Sequence, residues 1–452
     1  MEIRSKSCIF ANPTHLPFMN YSQALDYLLS QLPFFQAEGK KAYKPGLDNI
    51  RQLDAWAGHP HRRFPCIHVG GTNGKGSVCH MLASVLQEAG YRTGLYTSPH
   101  LKDFRERIRI NGRCISETYV SEFTTAYVDA KKAGLILEAD FKPSFFELTT
   151  TMAFSYFADN NVDVAVIEVG LGGRLDSTNI IDPVLALITS ISLDHMNLLG
   201  NNVLSIAGEK AGIIKSGRPA VVGINPSEVY RVLRKRALQE QAPFYLAEDL
   251  LQLQGETVNK GTKLKVKSGV WQELNTFTCG LAGQYIPENA TLVLAALSLL
   301  KQDFIQIDAP ALLRGFEQVV PNTGIRGRWE ILQERPLCIC DTGHNEAGIR
   351  VVTKQLAATP HKQLHIVLGV VNDKDIGAML ELLPQKALYY FTKAAVPRAL
   401  PETELAALAA ARNLKGQSYP TVTEAKAAAL KAAAADDLVF IGGSNFIVAE
   451  AL

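Results

Sequence analysis

The stretch Gly70–Ser77, GGTNGKGS, holds the residue types that chemistry on a phosphate needs. Glycines let backbone N–H groups point at phosphate oxygens, Lys75 brings a positive charge, and Ser77 offers a hydroxyl that can ligate Mg2+. The candidate cradle is Gly71, Thr72, Asn73, Gly74, Lys75, Gly76 and Ser77. Its spelling departs from the common G-x-x-x-x-G-K-[ST]: three residues separate Gly70 from Gly74, and Gly76 stands between Lys75 and Ser77. An ordinary glycine-rich turn accounts for the glycines alone. It does not account for the flanks. Ile67 and Val69 sit in a strand-like apolar run, and Val78, Met81, Leu82, Val85, Leu86 and Ala89 recur at helical spacing up to Gly90.

Other polar residues stand where open α/β sheets bind ligands. DVAVIE ends on Glu168, and PVLALITSISLD runs into Asp194-His195. A carboxylate at the C-terminal end of a parallel strand faces the ligand crevice. Glu147 falls in the first turn of an apolar-periodic helix that starts after Pro143-Ser144. There it is either an acid favoured by the helix dipole or a metal-held group. His195 is open to a structural and a ligand reading alike. Lys210, in the small-residue patch IAGEKAGII, reads from spacing as a partly buried lysine salt-bridged to Glu209. Asn289 lies in the first turn of a helix that follows Pro287. Arg105, Arg107, Arg109 and Arg113 surround Asn111-Gly112, a strong hairpin signal, and form either a solvated hairpin or a mobile loop that meets an anionic substrate. NDKD at 372–375 has the wrong order for a guanine-reading N-K-x-D and excludes a GTPase on that point.

Strands that deliver such residues alternate with helices along the whole chain, which predicts an α/β fold. A first helix is expected from Tyr21 to Leu32, after an irregular lead-in over 1–19. TKLKVKSG alternates like an antiparallel strand. The Pro/Asn/Gly cluster at 320–324 reads as a boundary, giving a P-loop ATPase-type domain with a mostly parallel sheet over 1–322 and a smaller doubly wound α/β domain over 323–452. In LCICD, Cys338 and Cys340 are expected on opposite faces of a strand. At 452 residues the chain is too long for one ordinary core, and a net charge of +2 demands neither nucleic acid nor an anionic membrane. The scattered, odd set of seven cysteines suits a reducing compartment. No signal peptide or spanning run is legible, so the expected location is the cytoplasm.

The chain resembles the folylpolyglutamate synthase/dihydrofolate synthase family, cousins of the Mur ligases. The resemblance runs in order through GTNGKGS, YTSPHL, FFELTT, EVGLGGRLDSTN, ITSISLDH, IAGEKAGIIK, the helix-opening ENA, GRWE and DTGHN. It implies two domains with the active site in the cleft between them. It also implies ATP-driven amide formation. A carboxylate of dihydropteroate, or the γ-carboxylate of a tetrahydrofolate, attacks the γ-phosphate of ATP, and the acyl phosphate is then taken by the amino group of L-glutamate.

Carried over residue by residue, Ser77 and Glu147 would hold one Mg2+, and His195 and a carbamylated Lys210 a second. K+ stands as a further candidate ion. Asn289, Arg328 and Asp341 would contact ATP. His344 would sit near the acyl phosphate or the incoming glutamate, and the family default is a monomer. Two spellings depart from the family: DTGHNE at 341–346 stands for DGAHNP, and Arg326-Gly327-Arg328 for P-G-R. Arg326 is then either a phosphate contact or a solvated cation. The rival readings are a synthase of folylpolyglutamates alone, a Mur-type cell-wall ligase, and a nucleotide-binding switch without ligase activity. About 66 residues before the loop leave little room for a Mur-type sugar-binding domain.

Overall fold

The structure is a computed structural model that describes residues 18–33, 46–136, 143–258, 260–372 and 376–452. The lead-in through residue 17, the segment 34–45, and residues 373–375 of the NDKD stretch lie outside the described residues.

Short apolar runs build the first sheet. Its strands are β1 (Cys66–Gly70), β2 (Thr93–Tyr96), β3 (Ile108–Ile110), β4 (Arg113–Cys114), β5 (Val164–Glu168), β6 (Leu185–Ile188), β7 (Ala220–Val222) and β8 (Phe244–Leu246). They lie in the order β4-β3-β2-β5-β1-β6-β7-β8. All neighbours are parallel except the β2–β3 and β3–β4 pairs, which carry the chain through the predicted hairpin. Asn111 (φ 45°) and Gly112 (φ 73°) supply the left-handed residues of that turn. β1, β5 and β6 are buried throughout, as continuous apolar runs covered on both faces must be. Val69 sits beside Glu168 on one side and Leu187 on the other, so the three strands end level.

One face of this sheet packs on the helices Lys75–Glu88 and Ile286–Asp303. The Lys75–Glu88 helix is buried on all sides from Ser77 to Leu86, because the Ala309–Glu317 helix closes over its outer side. A Cβ on Gly315 would overlap Val85, so only glycine allows that approach. The other face packs on the helices Phe145–Asp159 and Val203–Ala211. Each buried Leu or Val adds roughly 1.5–3 kcal/mol to this framework.

A three-stranded antiparallel sheet, β9 (Leu251–Val258), β10 (Gly261–Gly269) and β11 (Thr276–Cys279), lies against the Ile286–Asp303 helix. As its alternation predicts, β10 buries Leu264 and Val266 and exposes Lys263, Lys265 and Lys267. The C-terminal sheet comprises β12 (Glu330–Glu334), β13 (Leu337–Cys340), β14 (Leu364–Leu368), β15 (Leu388–Phe391), β16 (Gly416–Ser418) and β17 (Leu438–Gly442), ordered β12-β13-β17-β14-β15-β16. Only β12 is antiparallel, and apolar clusters cover both faces.

One expectation needs correction. Cys338 and Cys340 are both buried in one cluster, because strand period two returns residues i and i+2 to the same face. The cluster at 320–324 carries a turn of helix. Val319–Thr323 forms a short helix stopped by Gly324 at φ 64°, and Pro321 is tolerated within its first turn. Asn322 Nδ2 ties this helix to Ser84 Oγ (3.1 Å) and Glu88 Oε1 (2.9 Å). Among the described residues no helix is long and apolar enough to cross a membrane.

Candidate active site

The loop after β1 is stapled to the exit of β6. Thr189 N donates to Gly70 O (2.9 Å), Thr72 N donates to Ser190 O (2.7 Å), and Asn73 bridges Ser190. Two glycines are required here. Gly71 has φ 135° and Gly74 has φ 87°, and a Cβ on them would overlap Thr189 Oγ1 and Asn289 Oδ1. The helix then begins at Lys75, and its first-turn N–H groups have no acceptor within the helix. Lys75 Nζ folds back to donate to Gly71 O (3.2 Å) and Thr72 O (3.0 Å), and Ser77 is buried two residues further on. The unusual Gly76 also has a reason: a Cβ there would stand 3.1 Å from Arg328 Nη2, which arrives from the C-terminal part of the chain.

Acidic groups gather opposite. Glu168, at the end of β5, accepts from Ser98 N (3.0 Å) and is 4% exposed. Burial raises its pKa, while Lys75 pulls it down. Glu147 caps its own helix: Oε2 accepts from Ser144 N (2.6 Å) and Ser144 Oγ (2.9 Å). The first-turn reading is therefore realised, and the side chain also faces the same cavity. Asp194 and His195 leave the β6 exit together, with His195 held left-handed at φ 48°.

The expected Lys210–Glu209 salt bridge does not form. Adjacent helix residues point about 100° apart, so Glu209 pairs with Arg174 (2.9 Å) while Lys210 turns inward. Lys210 Nζ donates to Gly71 O at 2.6 Å. Burial, then the nearby Lys75 charge, lowers its pKa to about 7 against the pull of Asp194 and Asp176.

The C-terminal sheet brings the other wall. Asp341, just past β13, accepts from Tyr285 OH, Trp329 N and Gly343 N, each at 2.8 Å. It thereby ties the start of the Ile286–Asp303 helix to the second sheet. The DTGHNE spelling has a local use: Thr342 Oγ1 accepts from Arg328 Nη1 and donates to Gly327 O (3.2 Å), orienting the guanidinium. His344 Nδ1 lies 2.9 Å from Thr342 O. Asn345 caps the Glu346–Ala358 helix and meets Asn73 through two side-chain bonds (3.0 and 3.1 Å) and Asp194 Oδ2 (3.1 Å).

All these walls enclose one cavity of about 540 Å³. Every residue of the predicted loop lines it, as do Glu147, His195, Lys210, Asn289, Arg328, Asp341 and His344. Of the hairpin arginines only Arg107 lines this cavity; its guanidinium lies 5.1 Å from the Phe145 ring centroid and its Nε donates to His100 Nδ1 (2.8 Å). Burial lowers its pKa to about 10. Arg109 is also buried, so the solvated reading fails for both. Arg105 pairs with Asp103 and Glu117, and Arg113 is exposed. Arg326 pairs with Glu330 on the surface. Arg398, Ser444, Asn445 and Phe446 line the cavity as well; only the glycines of IGGSNF hinted at the last three.

Residues 69–297 match the model of the Mur ligase middle domain, and residues 327–445 match that of the Mur ligase glutamate ligase domain. The dihydrofolate synthase/folylpolyglutamate synthase of Escherichia coli K12 is 32% identical over 435 residues, covering 95% of this chain and 96% of that protein. The chain belongs to the dihydrofolate synthase/folylpolyglutamate synthase family of Mur ligases. Another member, from Bacillus subtilis, is 36% identical over 84% of this chain and 87% of its own length. The solved folylpolyglutamate synthase of Mycobacterium tuberculosis, complexed with ADP, superposes with a TM-score of 0.83 at 31% identity, covering 95% of this chain and 97% of that one. A bifunctional family member solved with Mn, AMPPNP and L-glutamate superposes at 0.78 and 29% identity, covering 96% and 97%. The eight-stranded, mostly parallel sheet and the six-stranded mixed sheet are thus the fold of this family.

Proposed function

We propose that the chain is an ATP-dependent ligase that joins L-glutamate to dihydropteroate and to the γ-carboxylate of tetrahydrofolates. The observation that carries this reading is the convergence on one cavity of a phosphate loop from the first sheet and of Arg328, Asp341 and His344 from the second. The bound species named for the relatives agree with it: DHPP with ADP in the E. coli enzyme, and AMPPNP, Mn and L-glutamate in the bifunctional one.

The acceptor carboxylate oxygen bonds to the γ-phosphorus and ADP leaves. The glutamate nitrogen then bonds to the acyl carbon, phosphate leaves and the nitrogen gives up a proton. Such chemistry asks the protein for positioning and charge neutralisation. Loop N–H groups and Lys75 cradle the phosphates, Arg328 adds charge from the other wall, and Asn289 and Asp341 hold the nucleotide. His344 faces the acyl phosphate or the incoming glutamate, beside Asn345 and Asp194.

The donor set suits Mg2+, a hard cation that prefers oxygen ligands. Ser77 and Glu147 would hold one ion, and His195 with Lys210 a second; bound Mg2+ supplies neutralisation of phosphate charge. A lysine with its pKa near 7 keeps enough neutral amine to add CO2, losing a proton to become an anionic carbamate. K+ remains a further candidate. The same reading divides the chain into 1–322 and 323–452 and makes it a monomer.

The test is ADP release by purified protein with ATP, Mg2+ and L-glutamate, with dihydropteroate or tetrahydrofolate as acceptor and products identified by mass. The reading expects a glutamate-sized mass gain on both acceptors. A gain on tetrahydrofolate alone would restrict it to polyglutamylation, and no acceptor-dependent release would overturn it.

A further inference from the structure

Away from the cavity, three metal-ligating side chains meet in a tight reversal of the chain. Asp54 occupies the last turn of the Asp48–Trp56 helix. The chain then reverses through Gly58 (φ 75°) and His59 (φ 56°), closed by His59 N donating to Asp54 O at 2.8 Å. Pro60 opens the turn Pro60–Arg62, which sets His61 back over the helix end. The result aims the same nitrogen of two imidazoles at one carboxylate. His59 Nδ1 lies 2.7 Å from Asp54 Oδ2, and His61 Nδ1 lies 2.6 Å from Asp54 Oδ1. One ligand atom from each residue falls within 4.8 Å of the other two. The Asp54 side chain is 5% exposed and that of His61 11%, whereas His59 is 45% exposed. A carboxylate that merely holds the turn needs one N–H partner; a second imidazole, two residues on and directed at the opposite oxygen, is more than the turn requires.

We propose that Asp54, His59 and His61 form a binding site for a zinc-class divalent cation, with water completing the tetrahedron on the open His59 side. Two imidazole nitrogens and a carboxylate oxygen suit tetrahedral Zn2+ or Co2+ and not Mg2+, which takes an octahedron of oxygens. A cation bound at Nδ1 requires that nitrogen to be without a proton, so each ligating imidazole carries its hydrogen on Nε2 in the bound form. None of the three residues lines the large cavity, which separates this site from the Mg2+ positions of the ligase reading. The turn leads directly into β1. A cation there pins the Asp48–Trp56 helix to the strand that carries the phosphate loop.

The experiment titrates Co2+ into full-length, chelator-stripped protein held in excess Mg2+ and ADP, reading the visible absorption of tetrahedral Co2+. One equivalent is expected. Its affinity should fall at least about 10-fold in H59A and in H61A and stay unchanged in H195A. Zn2+ should raise the melting temperature of the unmodified protein but not of H59A/H61A. Asp54→Asn risks the fold, so the exposed His59 and its neighbour carry the test, with circular dichroism confirming folded protein. Absence of a Co2+ equivalent, or an equivalent that survives H59A/H61A, overturns the proposal.

Discussion

Replacing Lys210 by Met should raise stability and abolish turnover together. Lys210 is 5% exposed, and its pKa falls from 10.5 to about 7. At pH 7 an ordinary lysine of pKa 10.5 is uncharged in about one molecule in 3000; Lys210 is uncharged in about half. Between about 7 and 10.5 the unfolded chain binds a proton that the folded chain does not. Stability contributed by this group therefore rises with pH across that window and is flat below it. The full window corresponds to about 5 kcal/mol, of which about 2 kcal/mol falls between pH 7 and pH 9. Met keeps most of the side-chain volume, and Gly71 O keeps its bond from Lys75 Nζ. The assay is urea unfolding of both proteins at pH 7 and pH 9, without nucleotide and in CO2-depleted buffer. The unmodified protein should gain about 2 kcal/mol on the variant over that range. Parallel pH curves would refute the buried, depressed lysine. Added bicarbonate should restore turnover only to the unmodified protein if the carbamate assignment holds.

Other expectations follow from single contacts. Gly74→Ala forces a Cβ onto Asn289 Oδ1 at a positive φ; a strain of about 1–3 kcal/mol should weaken ADP binding roughly 5- to 150-fold by calorimetry. Asn345→Ala removes a helix cap and the bonds to Asn73 and Asp194. It should cost about 1–2 kcal/mol in urea unfolding, and kcat should fall more than the KM for ATP rises. Leu82→Ala, at a fully buried position in the Lys75–Glu88 helix, should cost about 2–5 kcal/mol by thermal unfolding.

The first wall of the site was legible because its chemistry is local. Strand, loop and helix around Lys75 are contiguous, and their periodicities agree with the glycines. Glu168 and Asp194 were legible from topology, since strand ends in parallel sheets face the crevice. The second wall was not legible from local pattern: Arg328 and Asn345 reach the loop through contacts more than 200 residues apart in sequence, as in the Asn73–Asn345 pair (272). There the family resemblance supplied what spacing did not. Local rules misled where direction mattered, as for Lys210, whose neighbour in sequence points elsewhere. β16 has no apolar alternation to announce it, because all three of its residues are exposed at a sheet edge. Gly76 and Thr342 looked like departures from consensus spellings, yet the first stands close to Arg328 and the second orients it.

In the proposed reaction the acceptor carboxylate is activated by direct transfer of the γ-phosphoryl group. The most direct measurement uses dihydropteroate with 18O in its carboxylate and follows the label by mass spectrometry after one turnover. Direct transfer places one 18O atom in the released inorganic phosphate for each amide formed. Amide formation with unlabelled phosphate would contradict it.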